Sequence, residues 1–315
     1  MIFSNVFAVD LNATVEYDLA LYASGFEARS IFVAEHMRPR ARKNRVILFA
    51  EDTDLLSRPA NDAFFKGIFS DDEMTISASG DHEAILLALR SLELTADPNR
   101  LIRVFVDYSA MTRTWYGAVL SYFRHVDRTN AVEIDFVYAH GKYQEKFSPM
   151  AVTEIVAQPG FAGLASGMRE TVALFGLGLD KFASLAVFDR IEPDDAHYFL
   201  ARPADREGLT EDKVRQENAE LITQMSDAPL LLPLEDVGET FRLLCERVTV
   251  QDRRKQIVIV PMGPKPHVLA SLLVTLRLPR VGCLHVRGWR NPPIQVSALG
   301  TSSACRVCFS PDRRA

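Results

Sequence analysis

Four short segments of this chain occur twice, in the same order and at nearly the same spacing, and this recurrence narrows the fold more than any single motif. Residues 20–27 read ALYASGFE and residues 173–180 read ALFGLGLD, 153 positions apart. VILFA at 46–50 is answered by HYFLA at 197–201, VFVD at 104–107 by VIVP at 258–261, and VYAHG at 137–141 by HVRGW at 285–289, at offsets of 151, 154 and 148. A long-period recurrence predicts two like units that arose by internal duplication. The competing reading is that every α/β protein repeats strand–turn–helix units.

Each half reads as an α/β layer structure. DLALYA, RVILFA, IRVFVDY and VEIDFVYA are continuous apolar or aromatic runs bounded by turn signals, as buried parallel strands require. Between them EARSIFVAEHM carries Ile31, Ala34 and Glu35 at helical spacing, and HEAILLALRSLEL does so through Ile85, Leu86, Leu89 and Leu92. Strands alternating with helices imply right-handed crossovers and a doubly wound, mainly parallel sheet in each half, a Rossmann-like arrangement. The Gly/Ala/Ser-rich PGFAGLASG at 159–167 reads as the linker, dividing a first domain at 1–158 from a second at 168–315. The charged ARPADREGLTEDKVRQENAE reads as a partly helical excursion of the second half.

Composition excludes several classes. With 48% hydrophobic and 24% charged residues the chain is neither disordered nor fibrous. No apolar run approaches the roughly 18 residues of a membrane helix, so no membrane partner is expected. The start, MIFSNVFAVDLNATVEYD, lacks a basic n-region and makes a poor signal peptide. Four cysteines in 315 residues are no disulfide framework, which fits a reducing cytoplasm. A net charge of -5 argues against general nucleic-acid binding.

In an open parallel sheet, ligands bind beyond the carboxyl ends of the strands, where the strand order switches. Two turns per half qualify. The first holds Ser24, Gly25 and Glu27 in one half and Gly176, Gly178 and Asp180 in the other. The glycines permit tight turns, and the acids suit the N-terminal end of the following helix, either as caps or as ligand contacts. Gly176-x-Gly178 matches the start of a dinucleotide fingerprint without its third glycine. The second turn reads Asp107-Tyr108-Ser109-Ala110-Met111-Thr112-Arg113 in the first half and Pro261-Met262-Gly263-Pro264-Lys265-Pro266-His267 in the second. A buried strand running through Gly-Pro-Lys-Pro into a helix offers N–H groups and a positive dipole to an anion, with Lys265 and His267 to add charge.

This strand–Gly-x-Lys-Pro–helix passage resembles the Gly-Thr-Lys turn of CARF domains, the Rossmann-like sensors of cyclic oligonucleotides in bacterial antiviral systems. Asp107-Tyr108-Ser109 resembles the Asp-x-Ser/Thr turn at the corresponding place in other members. CARF domains work in pairs, so the resemblance implies a tandem pair in one chain and a nucleotide-like ligand. The likeness covers these turns and the order of strands; the glycines that usually precede Thr-Lys are missing here.

Remaining motifs are weaker. Cys305-x-x-Cys308 lies in a strand-like run, where an odd separation points the pair to opposite faces, so buried free thiols are expected and no metal, although Cys283 and His285 would complete a ligand set. Arg29 and His36 share the spacing of the Arg-x-His motif of HEPN ribonucleases, which are all-helical, whereas this segment lies between strands. Arg38, Arg40, Arg42, Lys43 and Arg45 form a basic run that reads as a solvated loop or a local contact with RNA or an acidic partner. The leading expectation is a binding module for a nucleotide or other phosphate-bearing signal, with Gly263 and Lys265 holding phosphate and Ser24, Glu27, Asp107, Ser109 and Arg113 around the rest. Two alternatives stand beside it: a nucleotide hydrolase or glycosidase with Glu27 or Asp107 as acid or base, and an inert assembly subunit. A protein partner or a homo-oligomer is compatible with each, and no cofactor is identified.

Overall fold

The computed structural model describes residues 1–11, 15–92, 100–127, 129–143, 148–164, 170–202, 211–225, 228–251 and 254–312. Strands β1 (Ile2–Ala8), β2 (Glu16–Tyr17) and β3 (Leu19–Ser24) lead into a 3-10 turn at Ala28–Ile31 and helix α1 (Phe32–His36). There follow β4 (Arg40–Ala41), β5 (Asn44–Phe49), α2 (Arg58–Ile68), β6 (Met74–Ser77), α3 (Glu83–Arg90), β7 (Ile102–Asp107), α4 (Arg113–His125) and β8 (Val132–Tyr143). The chain continues through β9 (Ala151–Ala157), β10 (Thr171–Gly176), α5 (Lys181–Ile191), β11 (Asp195–Arg202), α6 (Glu211–Glu217), α7 (Ala219–Ile222) and β12 (Leu230–Pro233). It closes with α8 (Val237–Thr249), β13 (Gln256–Pro261), α9 (Lys265–Arg277), β14 (Val281–Trp289) and β15 (Val296–Ser310).

Two compact α/β units result, one of Met1–Lys142 with Gln295–Ala315 and one of Tyr143–Ile294. In the first, the seven-stranded sheet runs β1-β15-β8-β7-β3-β5-β6. Its inner strands are parallel, and β1 pairs antiparallel with β15. In the second, the six-stranded sheet runs β12-β11-β10-β13-β14-β9, parallel except for β9. Reading outward from the first parallel strand, both sheets have the same order, and every matched segment lies on a strand that holds the same place in its own sheet.

Packing follows from the sequence. β3 is buried at every position, as its unbroken apolar run requires. Ala20, Tyr22, Val46, Leu48 and Phe105 form one face of the first sheet and receive Val33 of α1 and Phe65 of α2. The Trp115 ring of α4 lies 4.4 Å from that of Phe49, tilted by 34°; Phe49 alternates with Leu48 and so faces the other way. In the second unit Phe175, Val258 and Val260 receive Val187 of α5, Val214 of α6 and Leu221 of α7. α9 is buried almost all round, the signature of a helix inside a core.

Three sequence expectations change. The boundary falls at 142/143, and the last strand returns to the first sheet, where Arg306 makes a bidentate pair with buried Asp135 of β8 at 2.7 and 2.8 Å. The Gly/Ala stretch expected to link the halves is, through residue 164, a packed turn of the second unit. Phe161 is buried, its carbonyl accepts from Cys283 N–H at 2.9 Å, and Gly163 sits at φ 74° against Gly282. Small residues serve close approach here and not slackness; the rest of the stretch, 165–167, lies outside the described residues, as does 203–210 of the charged excursion. Finally, the helix expected over 27–37 is a 3-10 turn followed by five residues of α1, ended before Pro39.

Candidate ligand-binding site

In each unit the strand order reverses between the first parallel strand and the fourth, β3 and β7 in one, β10 and β13 in the other. The turns beyond these strand ends hold most of the predicted residues, and the two units treat them differently.

The first unit closes them into a hydrogen-bonded net. Ser24 Oγ donates to Asp62 at 2.5 Å, and Asp62 pairs with Arg58, whose other nitrogens hold the Phe49 and Glu51 carbonyls. Gly25 N–H donates to Ser30 Oγ, while Asn61 Nδ2 bonds the Gly25 and Glu27 carbonyls. The Glu27 carboxylate takes Arg29 Nε at 2.7 Å, and buried Arg29 donates on to Tyr138 OH at 2.7 Å and to the Ala139 carbonyl. Asp107 Oδ1 accepts both the N–H and the hydroxyl of Ser109, and Ser109 Oγ accepts Ala139 N–H at 2.8 Å. Asp107 and Ser109 are buried, and their turn is an Asx turn locked to β8. Arg113 is half-buried at the first position of α4, behind Thr112, which caps the helix by accepting Trp115 N–H.

In the second unit the same place is apolar and glycine-built. A Cβ on Gly178 would stand 2.7 Å from the Met262 carbonyl oxygen, and one on Gly263 would stand 3.1 Å from that of Leu177, so the two turns touch backbone to backbone. Gly176 is needed for another reason: a Cβ there would meet the Phe199 ring at 2.5 Å. A cleft of about 90 Å³ remains, walled by Gly178, Met262, Gly263 and Pro264 from the turns, Leu200 and Ala201 from β11 and Val214 and Glu211 from α6, the Glu211 carboxylate being paired with Arg215 at 2.6 Å. That volume suits a phosphate-sized group and lies below the roughly 300–1,000 Å³ of pockets enclosing whole small molecules. Asp180 caps α5 through Ala183 N–H, accepts Met150 N–H and pairs with Arg290 at 2.5 Å. Lys265 opens α9 immediately after Pro264 and is half-buried.

His267 has a different place from the one expected. It is buried, its Nε2 faces the Pro233 carbonyl at 3.2 Å, and burial lowers its pKa to about 4 despite that bond. A neutral imidazole holding β12 to α9 adds no charge to a ligand. The head of α9 also presents fewer donors than expected: prolines 264 and 266 have no N–H, and the His267 and Val268 N–H groups bond back to the Pro264 carbonyl.

Of the predicted residues, Ser24, Gly25 and Glu27 share one net with Arg29, Asn61, Asp62 and Tyr138, none of which was assigned to the site from sequence. Tyr138 and Ala139 lie in the recurring VYAHG, the one signal that could have pointed to them. Among the described residues no group of three His, Cys, Asp or Glu side chains could hold a metal. None of the four cysteines is in a disulfide, and burial raises the Cys245 and Cys308 thiols to about 11. Among the described residues no helix is long and apolar enough to cross a membrane. Comparison with family models, with curated proteins and with solved structures finds no match.

Proposed function

We propose that the chain is a binding module for a small phosphate-bearing ligand, nucleotide-like in class, recognised at the switch point of its α/β units, which descend from one duplicated ancestor. The observation that carries this reading is the head of the helix after the fourth strand. Both α4 and α9 are 13 residues long, have no acid in their first turn and open on a half-buried cation, Arg113 and Lys265. A cation there opposes the helix dipole, which elsewhere in proteins favours acids by about 0.3–1 kcal/mol at that position. A bound anion reverses the sign of that interaction. The resemblance of Gly-Pro-Lys-Pro to the CARF turn supports a nucleotide signal, as in antiviral sensors, as the ligand class. Binding is favoured over turnover because the two candidate acid–base groups are committed elsewhere, Glu27 to Arg29 and Asp107 to Ser109.

The test is calorimetric titration of the full chain with inorganic phosphate, nucleoside phosphates and linear and cyclic oligonucleotides. A hydrogen bond to a charged group contributes about 1.5–3 kcal/mol, so Lys265→Ala weakens the ligand roughly 10- to 150-fold with folding unchanged. Failure of every phosphate compound to bind, or equal binding by Lys265→Ala, refutes the reading.

A further inference from the structure

The first unit has a cavity of its own, on the sheet face that α1 and α2 cover. α1 has only five residues, against ten or more in an ordinary crossover helix, and it leaves part of that face open. The opening is a cleft of about 650 Å³, within the range of pockets that take whole small molecules. Its walls are the rings of Tyr17, Phe64 and Phe105 with Met37 and Ile68. The Tyr17 hydroxyl is occupied by Asp135 at 2.6 Å, so these walls offer a ligand apolar surface and few hydrogen bonds. That disfavours a nucleoside or a sugar, whose many polar groups would lose water without replacement.

Charge enters at the rim, from the basic run at 38–45. Arg42 faces Glu16 and Asp18, Lys43 donates to the Ser91 carbonyl and Arg45 to the Asn44 carbonyl. Glu35 also lines the cleft; it is half-exposed, and its nearest cation candidate, His36 Nδ1 at 3.6 Å, is already bonded to the Phe32 carbonyl. Arg38 lines the cleft and makes no hydrogen bond or ion pair among the described residues. Beneath the same aromatic cluster, Tyr22 packs 5.9 Å from Phe105, and its buried hydroxyl has no hydrogen-bond partner among the described residues. We propose that this cleft binds an amphiphilic monoanion, its acyl or aryl body against Tyr17, Phe64 and Phe105 and its carboxylate on Arg38. The site is independent of the switch point, so it stands or falls separately from the phosphate reading.

Paired probes test it by calorimetry on the full chain: octanoate against 1-octanol for an acyl body, 2-naphthoate against 2-naphthol for an aryl body. At least one anion binds with one-to-one stoichiometry, and its alcohol binds about fivefold more weakly, the upper end for a solvent-exposed ion pair. Arg38→Ala brings the anion down to the level of the alcohol and leaves the alcohol unchanged. Ile68→Trp, which fills the cleft, removes both, with the fold checked by circular dichroism; if that variant does not fold, Arg38→Ala decides. Lys265→Ala changes none of these affinities. Absence of binding by both anions, an alcohol as tight as its anion, or an Arg38→Ala variant that binds the anion as well as the parent overturns the proposal.

Discussion

His267 makes the most quantitative prediction. Its imidazole is neutral inside the second unit, with a pKa near 4 because burial disfavours the charged form, whereas a histidine in an unfolded chain titrates near 6.5. Above about pH 7.5 both states are neutral and the group adds no pH dependence. As pH falls through 6.5 the unfolded chain takes up a proton that the folded one does not, so stability declines, and it keeps declining until pH 4. The loss is about 2 kcal/mol by pH 5 and approaches about 3.4 kcal/mol below pH 4, at 1.36 kcal/mol per unit. Carboxylates titrate over the same interval, so the informative quantity is the difference from His267→Gln, whose amide can still donate to the Pro233 carbonyl. Urea unfolding near pH 7.5 and near pH 5, read by hydrogen exchange of α9 amides so that only the second unit is scored, gives that difference. His267→Gln should lose about 2 kcal/mol less than the parent between the two conditions. Parallel pH dependence within about 0.5 kcal/mol, or an imidazole NMR titration near 6.5, would refute the buried neutral assignment and return His267 to the pool of ligand-facing cations.

Two further predictions concern what holds the units together. Gly178→Ala drives a Cβ to 2.7 Å from a backbone oxygen and should destabilise by about 1–3 kcal/mol, whereas Gly67→Ala in α2, where nothing lies within 4 Å, should stabilise by about 0.5–1 kcal/mol; thermal unfolding of the pair checks both. Asp135→Ala strands the Tyr17 hydroxyl and most of the Arg306 pairing, keeping only Glu133 at 3.3 Å for the arginine. It should destabilise by about 3 kcal/mol and speed hydrogen exchange in β15 and β1; unchanged exchange there would show that Arg306 does not anchor the last strand.

How far the sequence speaks depends on the range of the interactions involved. The buried strands β3, β7, β10 and β13 and the helix α9 were legible because their signals are local: an unbroken apolar run, a proline at the head of α9. The turns at the switch points were legible for the same reason. What was not legible came from pairing across the chain. β15 belongs to the first sheet because Ile2 pairs with Ser310 and Ala8 with Cys305, contacts between the two ends of the sequence that no local pattern announces. The segment at 159–164 was misjudged because small residues permit both slack and close packing, and only its partners, Cys283 and Pro279, decide between them. His267 looked like a cation because burial, which sets its charge, is a property of the neighbours and not of the residue.

The two switch points illustrate how one strand order supports different chemistry. At Gly25 an added Cβ would meet Ala110 Cβ at 3.4 Å, an ordinary contact, so the first unit could carry alanine there; its turn is held by side chains, Ser30 and Asn61 on the backbone and Arg29 on Glu27. At Gly178 no side chain fits, and the turn is held by backbone against backbone. A side-chain net gives specificity but spends its donors and acceptors internally, since each buried polar group must find a partner. A glycine-built turn keeps the chain close to the strand ends and brings half-buried Lys265 directly after it at the head of α9. An anion arriving at the first unit would compete with bonds already made among Glu27, Arg29, Asp107 and Ser109, each replaced at a loss. At the second unit it would meet a cleft of phosphate size and a cation set against the helix dipole. On the proposed phosphate reading the second unit is the tighter site, so Lys265→Ala should cost more affinity than Arg113→Ala in the same titration, and the reverse order would show that the side-chain net opens for the ligand.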